Sequence, residues 1–317
     1  NSISPFLSEF LLIKSSEELE HLKRACDITV EGHKSAMEFT KKDMYEYQIE
    51  AEMEKTFYDL GAERLGYPSI VASGDNACIL HYSTNREKVD NNGLILIDAA
   101  AEFKMYSSDV TRTFPVNGKF TKAQKDVYTA VLNAQELGIK NVTTKKTMSD
   151  IHTSTVTSIS QSLVDLGLVP MGVEETISMM HYLEFFMHGT GHWLGLDVHD
   201  AGTTEEKNKP RKLKPGMVTT IEPGIYIRPN KPEIEFKLLE RDPKNIRERR
   251  KSLGMEKATK LESEEMKDAK IIKHKIPTDL LGIGIRIEDD IVCTENDPIN
   301  LTIGAPKTID DVEAICS

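Results

Sequence analysis

The sequence predicts an α+β domain with helices packed on a sheet. Three observations carry this. Amphipathic runs at helical spacing occur in two groups. Short β-rich runs follow each group, giving the order helices, strands, helices, strands. No repeat of short fixed period is present, which sets solenoids and propellers aside.

The first helix opens at Ser15, with Glu18 three positions on, as a capping box. Leu19, Leu22, Cys26, Val30 and Met37 then recur on one face. A second helix carries Ile49, Met53, Phe57 and Leu60, and Gly61 ends it. The runs SIVAS, GLILIDAA and SSDVTRTFPV follow as strands. LILI is apolar at every position, as expected of a strand covered on both faces. Thr121 and Gln124 open a third helix. Ile151, Val156, Ile159, Leu163 and Leu166 line a fourth, closed by Gly167. MVTTIEPGIYI and GIGIRIEDDIVC complete the strands. Between them, from about Arg228 to Pro277, charge of both signs is dense and aromatics are few. This stretch is expected to be a solvated surface insertion, with ESEEMKDAK helical because its acids precede its bases.

A formal net charge of −11 opposes long contact with a nucleic-acid backbone. No apolar run is long enough for a membrane span; the best, LILIDAAAEF, is broken at Asp98. The four cysteines form no C-x-x-C pair, so a thiolate zinc site is not expected. They are expected to be free thiols in a reducing compartment, and the chain to be cytoplasmic.

Asp98 ends one apolar strand and Asp109 sits in the next. A hairpin turning near residues 102–104 would set their carboxylates side by side, where they repel unless a cation intervenes. A solvent-facing Asp beside a turn Asp is the plainer alternative. Glu222 and Glu288 also interrupt β-type runs, and edge charges that block aggregation would explain either one alone. Four such acids, with one imidazole from HGTGH, suit Mn, Co, Fe(II) or Zn, and carry charge enough for two dications. His188 and His192 share the i, i+4 spacing of H-E-x-x-H. Gly-Thr-Gly between them is poor in a helix and the Glu base is missing, so that reading is rejected.

Five runs in order, ILHYSTN, LILIDAAAEFKMYSSDVTRTFPVNGKFT, FFMHGTGHWLGLDVHDAG, LKPGMVTTIEPGIYI and GIGIRIEDDIVCTE, resemble the pita-bread metallopeptidases, most closely their aminopeptidase P branch. The resemblance implies a curved, mostly antiparallel sheet with helices on its outer face, within one catalytic domain over residues 1–317. It implies that Asp98, Asp109, His192, Glu222 and Glu288 ligate metal, Asp109 and Glu288 as bridges. His81, His188 and His199 would line the substrate site, Glu222 would shuttle protons, and Arg286 would orient a carboxylate with Tyr226 nearby. The implied cofactor is two divalent ions, manganese foremost, with zinc, cobalt or iron as alternatives.

The activity so implied is removal of the N-terminal residue from peptides with a free N-terminus and proline second, by a metal-bridging hydroxide. A prolidase acting on Xaa-Pro dipeptides, and a non-catalytic peptide-binding relative, are the rival readings. Two features depart from the family pattern. Only NSISPFLSEFLLIK precedes Ser15, where relatives carry an N-terminal domain, so that domain is expected to be absent from this chain. A homodimer is expected where it is present. The charged insertion is also longer than the usual connection.

Overall fold

The computed structural model describes residues 4–238, 252–254, 257, 260 and 269–317. Helix α1 (Ser4–Leu11) leads to α2 (Ser16–Phe39), which starts where the capping box predicts. Glu18 N donates to Ser15 Oγ at 3.3 Å, and Ser15 N donates to Glu18 Oε2 at 2.8 Å. Helix α3 (Glu46–Asp59) packs on α2 and stops at Gly61, whose φ of +98° suits a residue without Cβ. The two helices approach closely at Gly32, where a Cβ would stand 2.1 Å from the Phe57 ring.

Strands β1 (Arg64–Leu65), β2 (Ile70–Ser73), β3 (Leu94–Asp98), β4 (Ala101–Phe103), β5 (Tyr106–Ser107) and β6 (Thr111–Pro115) follow. Helices α4 (Lys122–Lys140), α5 (Met148–Asp165) and α6 (Val173–Ser178) come next, the first two opened by the boxes at Thr121 and Thr147. The second strand group is β7 (Glu205–Glu206), β8 (Lys209–Pro210), β9 (Val218–Ile221), β10 (Gly224–Tyr226), β11 (Glu233–Leu238), β12 (Lys270–Lys275), β13 (Gly284–Arg286), β14 (Asp289–Val292) and β15 (Ile299–Asn300). Helix α7 (Ile309–Ile315) is last.

All named pairings are antiparallel. β3 lies between β2 and β6, with Leu94 to Ile97 buried as LILI predicts. β6 joins the second group through Glu288 N to Thr111 O at 3.1 Å and Arg286 N to Thr113 Oγ1 at 3.3 Å. β9 pairs with β14 and β10 with β13 in one continuous register: Ile221 faces Asp289 and Gly224 faces Arg286. The same register sets Glu222 opposite Glu288, at the break made by Pro223. Beyond β9 runs the segment 190–194, held by Thr220 N to His192 O and Glu222 N to Thr190 O. One curved surface therefore carries five neighbouring segments in order: β3, β6, β13–β14, β9–β10 and 190–194.

Two expectations shift. The hairpin after Asp98 turns at Lys104 and Met105, both at positive φ, one step beyond the expected place. Asp98 then pairs with Thr111, so Asp109 stands two residues along the same face rather than directly opposite. The charged stretch is not all surface arm. β11 and β12 pair from Glu233–Lys275 to Leu238–Lys270, and Ile234, Phe236 and Ile276 are buried in the main core. Glu and Lys on the open face of β11 hid this alternation. The expected helix in ESEEMKDAK lies outside the described residues except for its last two positions.

Among the described residues no helix is long and apolar enough to cross a membrane, and the four cysteines are free thiols. Phe236→Ala should destabilise the fold by about 3–5 kcal/mol, the usual cost of deleting a buried phenyl ring. Urea unfolding measures it; a change under 1 kcal/mol would show that β11 is peripheral.

Candidate metal centre

The five predicted ligands stand on those five adjacent segments. Asp98 closes β3, Asp109 precedes β6, Glu288 lies between β13 and β14, Glu222 follows β9, and His192 is on the outer segment. Asp109, His192 and Glu288 each offer a ligand atom within 4.8 Å of the others. His192 Nε2 is 3.3 Å from Asp109 Oδ2 and 3.5 Å from Glu222 Oε1. Its Nδ1 lies 3.0 Å from the Trp193 carbonyl, a bond only an N–H can make, so Nε2 is the nitrogen left to face the acids.

Arg286 organises the acids from behind. Its Nη2 donates to Asp98 Oδ2 at 2.5 Å and its Nη1 to the Tyr226 hydroxyl at 2.9 Å. Its Nε donates to Thr111 Oγ1 at 3.0 Å, and that hydroxyl in turn donates a hydrogen bond to Glu288 Oε2 at 2.6 Å. Tyr226 is fully buried and does not line the cleft; its hydroxyl donates to His188 Nε2 at 2.8 Å. His188 Nδ1 donates to Gly189 O, and burial, then Arg286, brings this imidazole down to about 3, so it is neutral. His81 and His199 are exposed at the rim, and the His199 ring stands edge-on to His192 at 4.3 Å. A cleft of about 480 Å³ is lined by every predicted site residue except Tyr226.

Sequence reasoning missed two supports. The Tyr67 hydroxyl touches Oδ1 of both Asp98 (2.6 Å) and Asp109, yet has one proton to give. Asp290 accepts Asp109 N at 3.0 Å and the Cys26 thiol at 3.3 Å. Tyr67 falls in a loop between two strand runs, without pattern; the adjacent acids of IEDDI were the one available hint for Asp290.

Burial and mutual repulsion shift the protonation of three of the acids crowded near this guanidinium. Burial first, then neighbouring acids, raises Glu288 well above its ordinary value and raises Asp109. Burial lifts Glu222 to about 7, against the pull of His192. Burial would lower His192, but Asp109 and Glu222 carry it to about 9. A dication would relieve each of these at once. The single shared Tyr67 proton, the facing glutamates and the aimed Nε2 all fit divalent metal.

The model for metallopeptidase family M24 matches residues 20–295. The chain belongs to this family. It is 39% identical over 311 residues to the Xaa-Pro aminopeptidase of Escherichia coli (strain K12), covering 98% of this chain and 60% of that protein. The Haemophilus influenzae Xaa-Pro aminopeptidase is 39% identical over 309 residues, with 98% and 62% covered. Among solved structures, Pseudomonas aeruginosa aminopeptidase PepP superposes with a TM-score of 0.84 at 36% identity, over 99% of this chain and 62% of that one. A variant of Escherichia coli aminopeptidase P in complex with substrate gives 0.83 at 37%, with the same coverage. The M24 domain here is thus the pita-bread fold, and the chain spans about three-fifths of the length of these relatives.

A pH dependence follows. Glu222, ordinarily near 4.5, is raised to about 7, so the stability it allows below 4.5 is lost as pH rises through 7. His192, ordinarily near 6.5, is raised to about 9, so its contribution is lost as pH rises through 9. Both signs agree. Below pH 6.5 the depressed imidazoles, His188 among them, pull the other way, so the melting temperature of metal-free protein should fall from pH 7 to pH 9, and saturating divalent metal should flatten that slope. A metal-free melting temperature that climbs across this range would contradict the crowding of charge.

Proposed function

We propose that this chain is the catalytic domain, residues 1–317, of a metal-dependent exopeptidase that removes the first residue from peptides with proline second. One observation carries the reading: five donor side chains, from five adjacent segments, converge on a cleft rimmed by three imidazoles. The curated relatives named above are Xaa-Pro aminopeptidases, which supports the substrate class.

Asp98, Asp109, His192, Glu222 and Glu288 would hold two divalent ions, manganese first among them, with Asp109 and Glu288 shared. When bound, such ions supply an activated water at neutral pH and polarise the scissile carbonyl. The chain's own groups do the rest. Glu222, at the cleft surface, accepts and passes on a proton. His81 and His199 face the cleft and donate to the carbonyl oxygen as charge develops on it. Partial burial lowers His199, which favours the neutral imidazole at this place. Arg286 and Thr111 keep Asp98 and Glu288 from rotating away. His188 borders the cleft where the peptide continues past the cleaved bond. Proline brings no N–H, so this side recognises shape rather than a donated hydrogen bond.

Metal-stripped protein, reloaded in turn with Mn(II), Zn(II), Co(II) and Fe(II), should release Ala from Ala-Pro-Ala and leave Met-Ala-Ser intact. Turnover of Ala-Pro alone would make the chain a prolidase, and activity persisting in chelator would end the metal reading. Asp109→Asn should lose metal as well as rate, since an amide offers one neutral ligating oxygen in place of two charged ones. His192→Ala should lose metal and activity together. His81→Ala and His199→Ala should keep their metal and lose about 10²–10³ in kcat. Elemental analysis separates the two classes, and metal loss in His199→Ala with retention in His192→Ala would reverse the assignment.

A further inference from the structure

The stretch that carries His199 is a loop without regular structure, yet its neighbours hold it by three ties to residues 9–14. Lys14 and Asp200 form an ion pair at 2.7 Å whose side chains are 2% and 1% exposed. Lys14 Nζ also donates to Leu11 O at 2.6 Å, and Lys14 N donates to Gly216 O at 2.8 Å. Leu12 packs in a small core with Trp193, Leu213 and Met217, and a Cβ on Gly202 would meet it at 2.4 Å. Past the β7–β8 hairpin that follows the loop, Arg211 grips Glu9 with both terminal nitrogens, at 2.9 and 2.5 Å.

The ion pair acts on the loop itself. Asp200 follows His199 directly, and Asp200 N donates to Trp193 O at 3.0 Å while Gly195 N donates to Asp197 O at 3.2 Å. A Cβ at Gly195 would collide with both Asp200 Oδ2 (2.1 Å) and Lys14 Nζ (2.8 Å), so the loop closes around the pair. Among the described residues the second carboxylate oxygen of Asp200 is buried without a hydrogen-bond partner. Such a buried pair is often no more stabilising than an apolar contact of the same size, so its use here is sought in what it holds in place. The neighbouring residue on one side is the rim imidazole.

We propose that Lys14 is a positioning residue: its buried pair with Asp200 fixes residues 195–200 and so sets where the His199 ring stands over the cleft. The role deepens the peptidase reading and rests on it, since His199 matters to catalysis only if the cleft is that site. Replacing Lys14 leaves Asp200 as a lone buried charge, which costs stability wherever it occurs. Stability alone therefore proves nothing, and the test needs a double variant. Lys14→Met with Asp200→Leu removes both charges and should regain the melting temperature that Lys14→Met loses.

The position of His199 is read in metal-free protein by NMR of ¹³C-labelled histidines, with His199→Gln assigning its signal. In Lys14→Met and in the double variant the His199 signal should move and the His81 signal stay. In metal-loaded enzyme both variants should keep full metal content and lose about tenfold to a hundredfold in kcat, as small misplacement does, with KM nearly unchanged. Lys14→Gln, which keeps a donor without charge, replaces Lys14→Met if that variant does not fold. A His199 signal and kcat that return with stability in the double variant would overturn the proposal and leave the pair merely structural. Wild-type protein inactive on Ala-Pro-Ala would instead sink the function, while the metal-free spectra still decide where His199 is held.

Discussion

Two glutamates face each other across an antiparallel ladder, and much of the interior is arranged around that repulsion. Directly opposed residues in such a ladder have Cβ atoms about 5 Å apart, where like charges destabilise the pairing. The registers on either side of Pro223, carried across the break, put Glu222 and Glu288 in such positions, and Asp98 and Asp109 extend the row over the next two strands. In a buried place the chain cannot solvate this charge, so it distributes donors. Arg286 serves Asp98 directly and Glu288 through Thr111. Tyr67 serves both aspartates, and His192 leans on Asp109.

The run Glu288–Asp289–Asp290 shows how far environment separates identical chemistry. Glu288 faces the cleft. Asp289 points the other way into a closed network, where burial alone would raise it. Arg112 and Lys307 instead hold it well below the usual carboxylate range. Gln135 and Thr302 complete its bonds. Arg112 also donates to the carbonyls of Thr111 and Glu288, so this hidden ion pair fixes the backbone that aims the cleft-facing acid. Among the described residues Asp290 has no cation partner, and burial, then Asp109, raises it well above its usual value. One of its oxygens receives both the Asp109 amide and the Cys26 thiol.

The helices were legible because caps and apolar spacing are local; Ser15, Thr121 and Gly167 mark their ends in both sequence and structure. The strands bearing acids were legible because a carboxylate in an apolar run is conspicuous. The assignment of which histidine does what came from resemblance, since HGTGH has no periodicity to read. What stayed hidden depends on partners remote in sequence. Tyr67 becomes meaningful only when β3 and β6 pair, and Lys14 only when the loop ending at Asp200 folds over it. The β11–β12 hairpin was hidden differently: its outward Glu and Lys residues swamped an alternation of Ile234 and Phe236.

The spread of the five donors along the chain bears on the order of biosynthesis. Asp98 and Asp109 leave the ribosome well before Glu288, by roughly 10 to 35 seconds at ordinary elongation rates. At first their one partner among those described that lies nearby in sequence is Tyr67; His192 emerges partway through that interval, and Arg286 and Asp290 only around its end. A growing chain therefore presents two carboxylates and a phenol, a weak and incomplete cage. The full set closes only when the strands flanking Glu222 and Glu288 dock, so the cage stays incomplete until the segment through Glu288 has emerged.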